Sequence, residues 1–324
     1  MQFAKGVIYD IMITHLTQGD GAVKLSKVYT AAESDLKLVQ DGAFDILTLA
    51  NESILGSGVR ALSFLNDEKY LDVVAENKAI SCIITTQRCF EKLAKNGRSF
   101  GALVTEDPKR AFYLIQNYLV VKTDFYARSG AEIASSAVVD KTAVLAGNVS
   151  VGEGSVIGAN TVLYDNVSIG NNVYIGANCS IGVNGWRVFE NDGKNTSVLS
   201  GGGVVIEDDV NIQHNTVIEK GVFGGDTVIG QNCFVNSSVL IEHDSIIGRC
   251  SKVAGGVQIA GRVTIGSDAW IGLGVRISNG ITIGDHAYVC IGSVVTKDVG
   301  AGKKVSGNFA VDHEKNLAFI KKIR

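Results

Sequence analysis

The sequence has almost no proline, little net charge and no long apolar run. Proline occurs once in 324 residues, whereas glycine occurs 38 times. The formal net charge of -3 argues against a general nucleic-acid surface, because such surfaces are strongly basic. No run of 18 apolar residues is present, and no signal peptide is recognisable. We therefore expect a folded cytoplasmic protein without a transmembrane segment and without a nucleic-acid partner.

The cysteines and histidines do not fall into metal or disulfide patterns. The six cysteines are scattered without a CxxC pair, which is typical of reduced thiols in the cytoplasm. His214, His243 and His286 are separated by 29 and 43 residues, and no HxxH or HxxxxH pair is present. The phosphate-binding motif GxxxxGK[ST] is also absent. We therefore expect no bound metal and no kinase activity.

The stretch from Thr227 to Val299 repeats with a period of six residues. From Ile229 onward, every sixth residue is isoleucine or valine. A helical face recurs at three and four residues and a half-buried strand at two, so neither explains this period. A short strand and a turn, repeated and stacked three to a coil, does explain it. The recurring positions are Ile229, Val235, Ile241, Ile247, Val253, Ile259, Ile265, Ile271, Ile277, Ile283, Val289 and Val295.

The same period begins earlier in the chain and is interrupted twice. The first block starts near Ala131, residues 183–202 break the repeat, and residues 219–226 break it again. Segments that leave a regular solenoid are where functional loops tend to be found. The inward positions of this part are Val139, Leu145, Val151, Ile157, Leu163, Ile169, Ile175, Ile181, Ile206, Ile212 and Ile218. The sequence therefore predicts a left-handed parallel β-helix of hexapeptide repeats with two loops close together.

The extent of the repeat divides the chain into three expected parts. Residues 1–128 lack the period and alternate helix and strand signals, which predicts a small α/β domain. Within it, Asp107 and Pro108 have the pattern of an N-cap followed by proline at the first helical position. Residues 129–304 are the β-helix, and residues 305–324 contain a short C-terminal helix. On these signals alone, the α/β domain is either a packing module or a recognition domain.

His243 is the candidate general base. It follows the inward Ile241 by two residues and therefore lies at a corner of the prism. Gly261 occupies the same corner one coil later, eighteen residues on, and Asn279 occupies it in the coil after that. A glycine above an imidazole predicts space for a slender ligand, and an unperturbed pKa of about 6.5 suits general base work. The alternative is a surface histidine without a function.

Several segments carry a resemblance to a known family. They are residues 61–70 (ALSFLNDEKY), 204–210 (VVIEDDV), 218–221 (IEKG), 227–230 (TVIG), 241–244 (IEHD) and 253–261 (VAGGVQIAG), with Gly185 and Trp186 in the first loop. In this order they resemble the acyltransferases that N-acylate UDP-3-O-acylglucosamine in lipid A synthesis. The resemblance extends from about residue 47 to residue 307.

The resemblance implies a set of site residues and an assembly. It implies homotrimers with active sites between neighbouring prisms, no bound cofactor, and acyl carrier protein (ACP) or coenzyme A (CoA) as the carrier of the acyl group. The residues it implies are His243 as catalytic base; Phe64, Asp67 with its neighbour Asn66, and Tyr70 for the nucleotide; Gly261 for the donor and the oxyanion; and Trp186 in the substrate loop. Asn279, from its corner position above Gly261, and Asn184, from its place in the first break of the repeat, are added to the donor and substrate-loop candidates.

The sequence also departs from the family's pattern around the histidine. The family has alanine before it and asparagine after it, whereas this chain has Glu242 and Asp244. Residues 219–221 (EKG) stand where the family has aspartate, arginine and glycine. These departures favour acyl transfer from acyl-ACP or acyl-CoA to the amine of a different nucleotide-linked sugar, for surface polysaccharide or lipopolysaccharide. The alternatives are the lipid A enzyme proper and a non-catalytic trimer that binds sugar nucleotides.

Overall fold

The computed structural model describes residues 22–31, 35–50, 58–95, 97–128, 130–307 and 313–323. Over these ranges an α/β layer is followed by a long solenoid of strands and then by helix His313–Ile323. No helix in the described ranges is both long and apolar enough to cross a membrane.

The α/β part is built on a five-stranded sheet. A pair of short strands, Val23–Lys24 and Ala43–Phe44, lies apart from this sheet. The sheet's strands, in spatial order, are Lys37–Gln40, Gly101–Val104, Ile80–Thr85, Ala61–Leu65 and Ile46–Leu47. The helices are Leu25–Val28, Leu71–Glu76, Gln87–Lys95 and Pro108–Lys122, with 3-10 turns at Tyr29–Ala31 and Glu68–Tyr70.

Helix Pro108–Lys122 begins where the sequence predicts. The carboxylate of Asp107 accepts a hydrogen bond from the backbone N–H of Arg110 at 3.0 Å, which satisfies one of the free donors of the first turn. Proline at the first helical position has no N–H to leave unpaired. The predicted N-cap is therefore confirmed.

The solenoid is a prism with three faces of parallel strands. Face 1 contains Val149–Val151, Val167–Ile169, Gly203–Ile206, Asp226–Ile229, Ile246–Ile247, Thr264–Ile265 and Thr282–Ile283. Face 2 contains Val138–Val139, Val156–Ile157, Tyr174–Ile175, Asn211–Ile212, Phe234–Val235, Lys252–Val253, Trp270–Ile271, Tyr288–Val289 and Lys304–Val305. Face 3 contains Val144–Leu145, Val162–Leu163, Ser180–Val183, Val217–Glu219, Leu240–Ile241, Gln258–Ile259, Arg276–Ile277 and Val294–Val295.

Each inward residue stacks on its equivalent in the next coil. In face 3, Ile241 pairs with Ile259 and Ile259 with Ile277, eighteen residues apart. These side chains form one continuous buried core along the prism. A coil cannot bury its own apolar face, so each contributes about 1.5 to 3 kcal/mol per inward side chain only when stacked. The predicted left-handed parallel β-helix is confirmed.

Both interruptions of the repeat leave the prism at one corner. We call it the insertion corner: it comprises the turns after face 3 and before face 1, such as Asp165 to Asn166 and His243 to Asp244. The first insertion follows strand Ser180–Val183, and the second follows strand Val217–Glu219. They are therefore neighbours along one edge, as the sequence predicts.

The first insertion is a β-hairpin and not the loop that the repeat break suggested. Strands Val188–Asn191 and Lys194–Ser197 pair antiparallel. The two residues between them, Asp192 and Gly193, have φ of 51° and 75°. An Asp-Gly pair with two positive φ angles is the preferred connection of a two-residue hairpin. The sequence therefore contained the signal for this hairpin.

The α/β part holds both insertions through helix Pro108–Lys122. The side-chain amide of Gln116 donates to the carbonyl of Leu199 at 2.9 Å, just after the hairpin, and to that of Val222 at 3.0 Å in the second insertion. Phe223 packs its ring 5.2 Å from that of Phe112. The insertions are thus part of the core of the α/β domain.

We expect the stability of the prism to depend on inward residues and much less on their outward neighbours. Ile265 is buried, whereas the adjacent Thr264 faces outward from the same strand. Ile265→Ala should lower the free energy of unfolding by about 2 to 5 kcal/mol because it leaves a cavity. Thr264→Ala should cost about 1 kcal/mol or less. Chemical denaturation measures both; equal losses would contradict the stacking account.

Candidate active site

His243 lies on the insertion corner, two residues after the end of strand Leu240–Ile241. Asp244 has a φ of 58°, so the chain turns at this pair. The carbonyl of His243 accepts the N–H of Arg262 at 2.8 Å, which ties the corner to the next coil. The predicted corner position is confirmed. However, the side chain does not project into solvent, because the residue is only 8% exposed.

Two glycines enclose the imidazole of His243. A Cβ placed on Gly261 would lie 2.7 Å from Cε1 and Nε2 of the ring. A Cβ placed on Gly185, at the start of the first insertion, would lie 2.9 Å from Cβ and Cδ2. Any other residue would therefore push the ring out of position. The expected open slot at Gly261 is wrong: the imidazole itself fills that space.

Asp244 fixes the orientation of the ring. Nδ1 of His243 is 2.7 Å from Oδ2 of Asp244. An ionised carboxylate only accepts hydrogen bonds, so this contact places the proton on Nδ1 and leaves the lone pair on Nε2. The other oxygen of Asp244 accepts the N–H of Val222 at 3.2 Å. The second insertion thus orients the carboxylate that orients His243.

Glu219 connects the histidine to the first insertion. Its carboxylate accepts the backbone N–H of His243 at 3.2 Å and is also hydrogen-bonded by the backbone of Trp186. Glu219 is almost completely buried. Burial raises the pKa of this carboxyl, and the nearby charge of Glu242 raises it further, although the two backbone hydrogen bonds oppose the shift.

The residues predicted for the donor and the oxyanion lie above the imidazole. The N–H of Gly261 donates to Oε2 of Glu242 at 3.0 Å, so it is already occupied. The carbonyl of Gly261 accepts the N–H of Gly280 at 3.0 Å. Asn279 is exposed at the same corner one coil further on. An oxyanion therefore reaches the N–H of Gly261 only if Glu242 releases it.

The two residues predicted for the substrate loop lie on opposite sides of Gly185. Asn184 has a structural contact, since its Oδ1 accepts the N–H of Ser200 at 3.2 Å. Trp186 is 82% exposed. Trp186 follows Gly185, which packs against His243. Its large aromatic side chain is therefore available to cover a ligand.

The predicted nucleotide-binding residues differ in their surroundings. Phe64 is half-buried, with its ring 5.0 Å from that of Phe112. Asn66 is exposed, and Asp67 caps the turn Glu68–Tyr70 by accepting the N–H of Lys69 at 3.0 Å. Tyr70 is 47% exposed. The Tyr70 ring is thus partly open to solvent, with Nζ of Lys69 4.9 Å from its centroid, whereas Phe64 packs against the core.

The sequence marked the acidic neighbours of His243 only as departures from a family pattern. The structure brings Glu219, Glu242 and Asp244 together around it. The spacing contained the signal: the inward Ile218 and Ile241 are 23 residues apart, where a regular coil has 18. Allowing for this five-residue insertion, Glu219 and Glu242 occupy equivalent corner positions.

The other histidines in the described ranges do not join this site. Nδ1 of His214 accepts the N–H of Ala177 at 2.9 Å. His286 lies at a different corner, exposed and 4.0 Å from Asp268. Within the described part of the chain, no group of three or more His, Cys, Asp or Glu side chains is placed to hold a metal ion.

Comparison with known families agrees with the repeat. Residues 151–183 match the model described as bacterial transferase hexapeptide (six repeats). Residues 262–297 match the model described as hexapeptide repeat of succinyl-transferase. Fold and repeats together define a hexapeptide-repeat β-helix, and its repeats resemble those of bacterial transferases.

Individual relatives are acyltransferases. The chain is 33% identical over 229 residues to the UDP-3-O-acylglucosamine N-acyltransferase of Methylobacillus flagellatus, a match that covers 63% of each chain. It therefore spans slightly less than two thirds of that relative. This similarity confirms the predicted resemblance to hexapeptide acyltransferases.

Solved structures with similar coils include two further acyltransferases. One is the UDP-N-acetylglucosamine acyltransferase of Francisella novicida, with 27% identity, a TM-score of 0.46, and coverage of 58% of this chain and 73% of that one. The other is the O-acyltransferase of Moraxella catarrhalis, with 29% identity, a TM-score of 0.37, and coverage of 58% and 77%. Because both scores are low, the fold assignment depends on the strand pairing of the chain itself.

We expect a methyl group at Gly261 to displace the imidazole. Gly261→Ala should break the contact between Nδ1 of His243 and Asp244, because the new Cβ would overlap the ring. Nitrogen chemical shifts of the imidazole would report this as a loss of the Nδ1-protonated form. Gly300→Ala is the control, since a Cβ there would lie 3.5 Å from the flexible Lys303. An unchanged spectrum in Gly261→Ala would contradict the close packing of Gly261 against the imidazole.

We expect Glu219 to make stability depend on pH. Its pKa is raised above the ordinary value of 4.5, so the folded state binds the proton more tightly than the unfolded state. This stabilisation is complete below pH 4.5 and is lost as the pH rises through the folded-state pKa. Glu219→Gln cannot titrate. The stability of the wild type relative to this variant should therefore fall with rising pH in denaturation experiments; a constant difference would contradict the buried carboxyl.

Proposed function

We propose that this protein is an N-acyltransferase. It moves an acyl group from a thioester, carried by ACP or CoA, to the amino group of a nucleotide-linked amino sugar used for surface polysaccharide or lipopolysaccharide. The observation that supports this proposal most is His243, whose Nδ1 is held by Asp244 and whose Nε2 is left to act on a ligand. The similarity to a UDP-3-O-acylglucosamine N-acyltransferase supports the same reaction class.

Nε2 of His243 is suited to accept a proton. It has no hydrogen-bond partner in the described part of the chain, and it is not among the side-chain atoms sealed from solvent without a partner. A base with one nitrogen anchored and the other reachable is the arrangement that general base catalysis requires. Asp244 also stabilises the imidazolium that forms when Nε2 takes a proton.

The proposed reaction, attack of an amine on a thioester, needs no cofactor. The neutral amine attacks the thioester carbonyl, so that a C–N bond forms and the carbonyl oxygen becomes an oxyanion. Nε2 of His243 takes one N–H proton from the attacking nitrogen. The oxyanion then collapses, the C–S bond breaks, and the proton passes to the departing thiolate. The products are an amide and a free thiol.

Other residues of the chain would bind the oxyanion, the donor and the nucleotide. The N–H of Gly261, once released by Glu242, would donate to the oxyanion, a kind of contact that commonly contributes several kcal/mol. Asn279 would line the donor's path one coil further on. Tyr70 would stack on the base, with Asn66 and Asp67 beside it and Phe64 supporting it from the core.

We also propose a cytoplasmic homotrimer. In it, Trp186 of one chain would cover the ligand bound near its own His243 and a neighbouring prism. Trp186 is placed for this role, because its 82% exposed indole lies one residue from Gly185, which packs against His243. The lipid A enzyme proper is the second candidate, favoured by the named activity of the relative from Methylobacillus flagellatus.

A thiol-release assay tests the proposed function. Purified protein would be given UDP- and dTDP-amino sugars together with short acyl-CoA or 3-hydroxyacyl-ACP. Turnover with a short chain on a simple nucleotide amino sugar supports the leading proposal. Turnover only with the long carrier-linked chain on UDP-3-O-acylglucosamine supports the lipid A enzyme, and no turnover with any pair supports a non-catalytic binding trimer.

We expect His243→Ala to lower kcat by about a hundredfold or more, because the general base is lost. Asp244→Asn should also lower kcat, since the amide no longer holds the proton on Nδ1. His286→Ala is the control: this histidine also lies at a corner of the prism with Nδ1 facing an aspartate, Asp268 at 4.0 Å, but the corner is a different one and the side chain is exposed. Full turnover in His243→Ala would contradict the proposed mechanism.

A further inference from the structure

Glu242 is positioned next to the proposed base. Its carboxylate accepts the N–H of Gly261 at 3.0 Å, and this glycine packs so closely on His243 that a Cβ would lie 2.7 Å from Cε1 and Nε2 of the ring. A single glycine therefore links the carboxylate to the edge of the ring that carries Nε2. The negative charge is therefore held at the N–H of the same glycine that packs against Nε2, the atom that would take the proton.

One oxygen of this carboxylate is open. Oε2 accepts the N–H of Gly261, whereas Oε1 has no hydrogen bond within the described ranges. Oε1 is also not among the buried polar atoms without a partner, so solvent and ligands reach it. Glu242 is half-buried, which strengthens its attraction for a cation compared with a fully exposed carboxylate.

The lysine that follows Glu219 in the preceding coil does not neutralise the carboxylate of Glu242. Lys220 directs Nζ to Asp165, at 3.5 Å. No ion pair joins Glu242 to a lysine or arginine among the described residues, while the carboxyl groups of Glu219 and Asp244 add to the acidic surroundings. The environment of Nε2 therefore favours a positively charged ligand group.

We infer that Glu242 binds the protonated amine of the acceptor and makes the site selective for amines over hydroxyl groups. This inference rests on the proposed acyl transfer. An ammonium group is a strong donor that matches a carboxylate, whereas a sugar hydroxyl in its place is uncharged. Glu242 is thus a specificity-determining residue, and His243 remains the base.

Binding of the ammonium also explains how the N–H of Gly261 becomes available. A carboxylate that turns toward the ammonium gives up its bond to this N–H, which can then meet the acyl carbonyl oxygen. The nitrogen loses two protons in all as it passes from ammonium to amide. One goes to the leaving thiolate and the other to solvent, with His243 as the group that accepts them.

Selectivity between amine and hydroxyl ligands tests the inference. Wild type and Glu242→Gln would be compared with an amino sugar nucleotide that turns over and with its hydroxyl analogue as a competitive inhibitor. Glutamine keeps an oxygen for the N–H of Gly261 but has no charge. We expect the acceptor KM to rise about tenfold or more, as for loss of a charge-assisted contact. The inhibition constant of the hydroxyl analogue and the KM of the thioester should not change.

Glu207→Gln is the matched control. Glu207 also follows a face strand, and its Oε2 also accepts a backbone N–H of the next coil, that of Gln231 at 2.7 Å, but at another corner. It should behave as wild type. Unchanged binding of the hydroxyl analogue shows that Glu242→Gln is folded.

The possible failures can be told apart. If the wild type turns over an amine and Glu242→Gln keeps the same preference for amine over hydroxyl analogue, the inference is wrong and the proposed function stands. If the wild type acylates none of the acceptors, the proposed function and the inference are both wrong.

Discussion

Hydrogen bonds between strands eighteen residues apart force each corner of the prism to lie above the corner of the coil before it. Ile241 pairs with Ile259, and the corner residues that follow them, His243 and Gly261, are consequently stacked. The site depends on this register. A shift by one residue would exchange inward and outward side chains and would separate the imidazole from Gly261, the glycine of the next coil that leaves room for it.

The two insertions supply contacts to His243 and Asp244 that the regular coils lack, and the α/β part holds the insertions in place. The amide of Gln116 donates to Leu199 in the first insertion and to Val222 in the second. The N–H of Val222 in turn donates to Asp244, which orients His243. Arg128 and Asp226 form a nearly buried ion pair where the second insertion rejoins the prism. Removing one partner of such a pair costs about 3 to 5 kcal/mol, because a charge is left buried alone. The position of His243 is therefore set by contacts that extend into another part of the chain.

The sequence predicts the prism well because one inward residue per hexad is enough to define it. It predicts the corner position of His243 for the same reason. A break in the period predicts only that the chain leaves the prism; the hairpin itself depends on Asp192 and Gly193, whose positive φ angles form the two-residue turn. The contacts of Glu219 and Glu242 depend on side-chain direction and on a five-residue offset between coils, which hexad counting alone does not give. The prediction of open space beside Gly261 is wrong, because the ring of His243 turns inward and fills that space.

The most direct test of the account is a crystal structure with a nucleotide-linked amino sugar bound. We expect the amino nitrogen to lie about 3 Å from Nε2 of His243, which is hydrogen-bond distance. We also expect the base near Tyr70 of the same or a neighbouring chain, and the indole of Trp186 over the ligand. A ligand bound with its amine away from the insertion corner, and with Nε2 of His243 facing only solvent, would contradict the account.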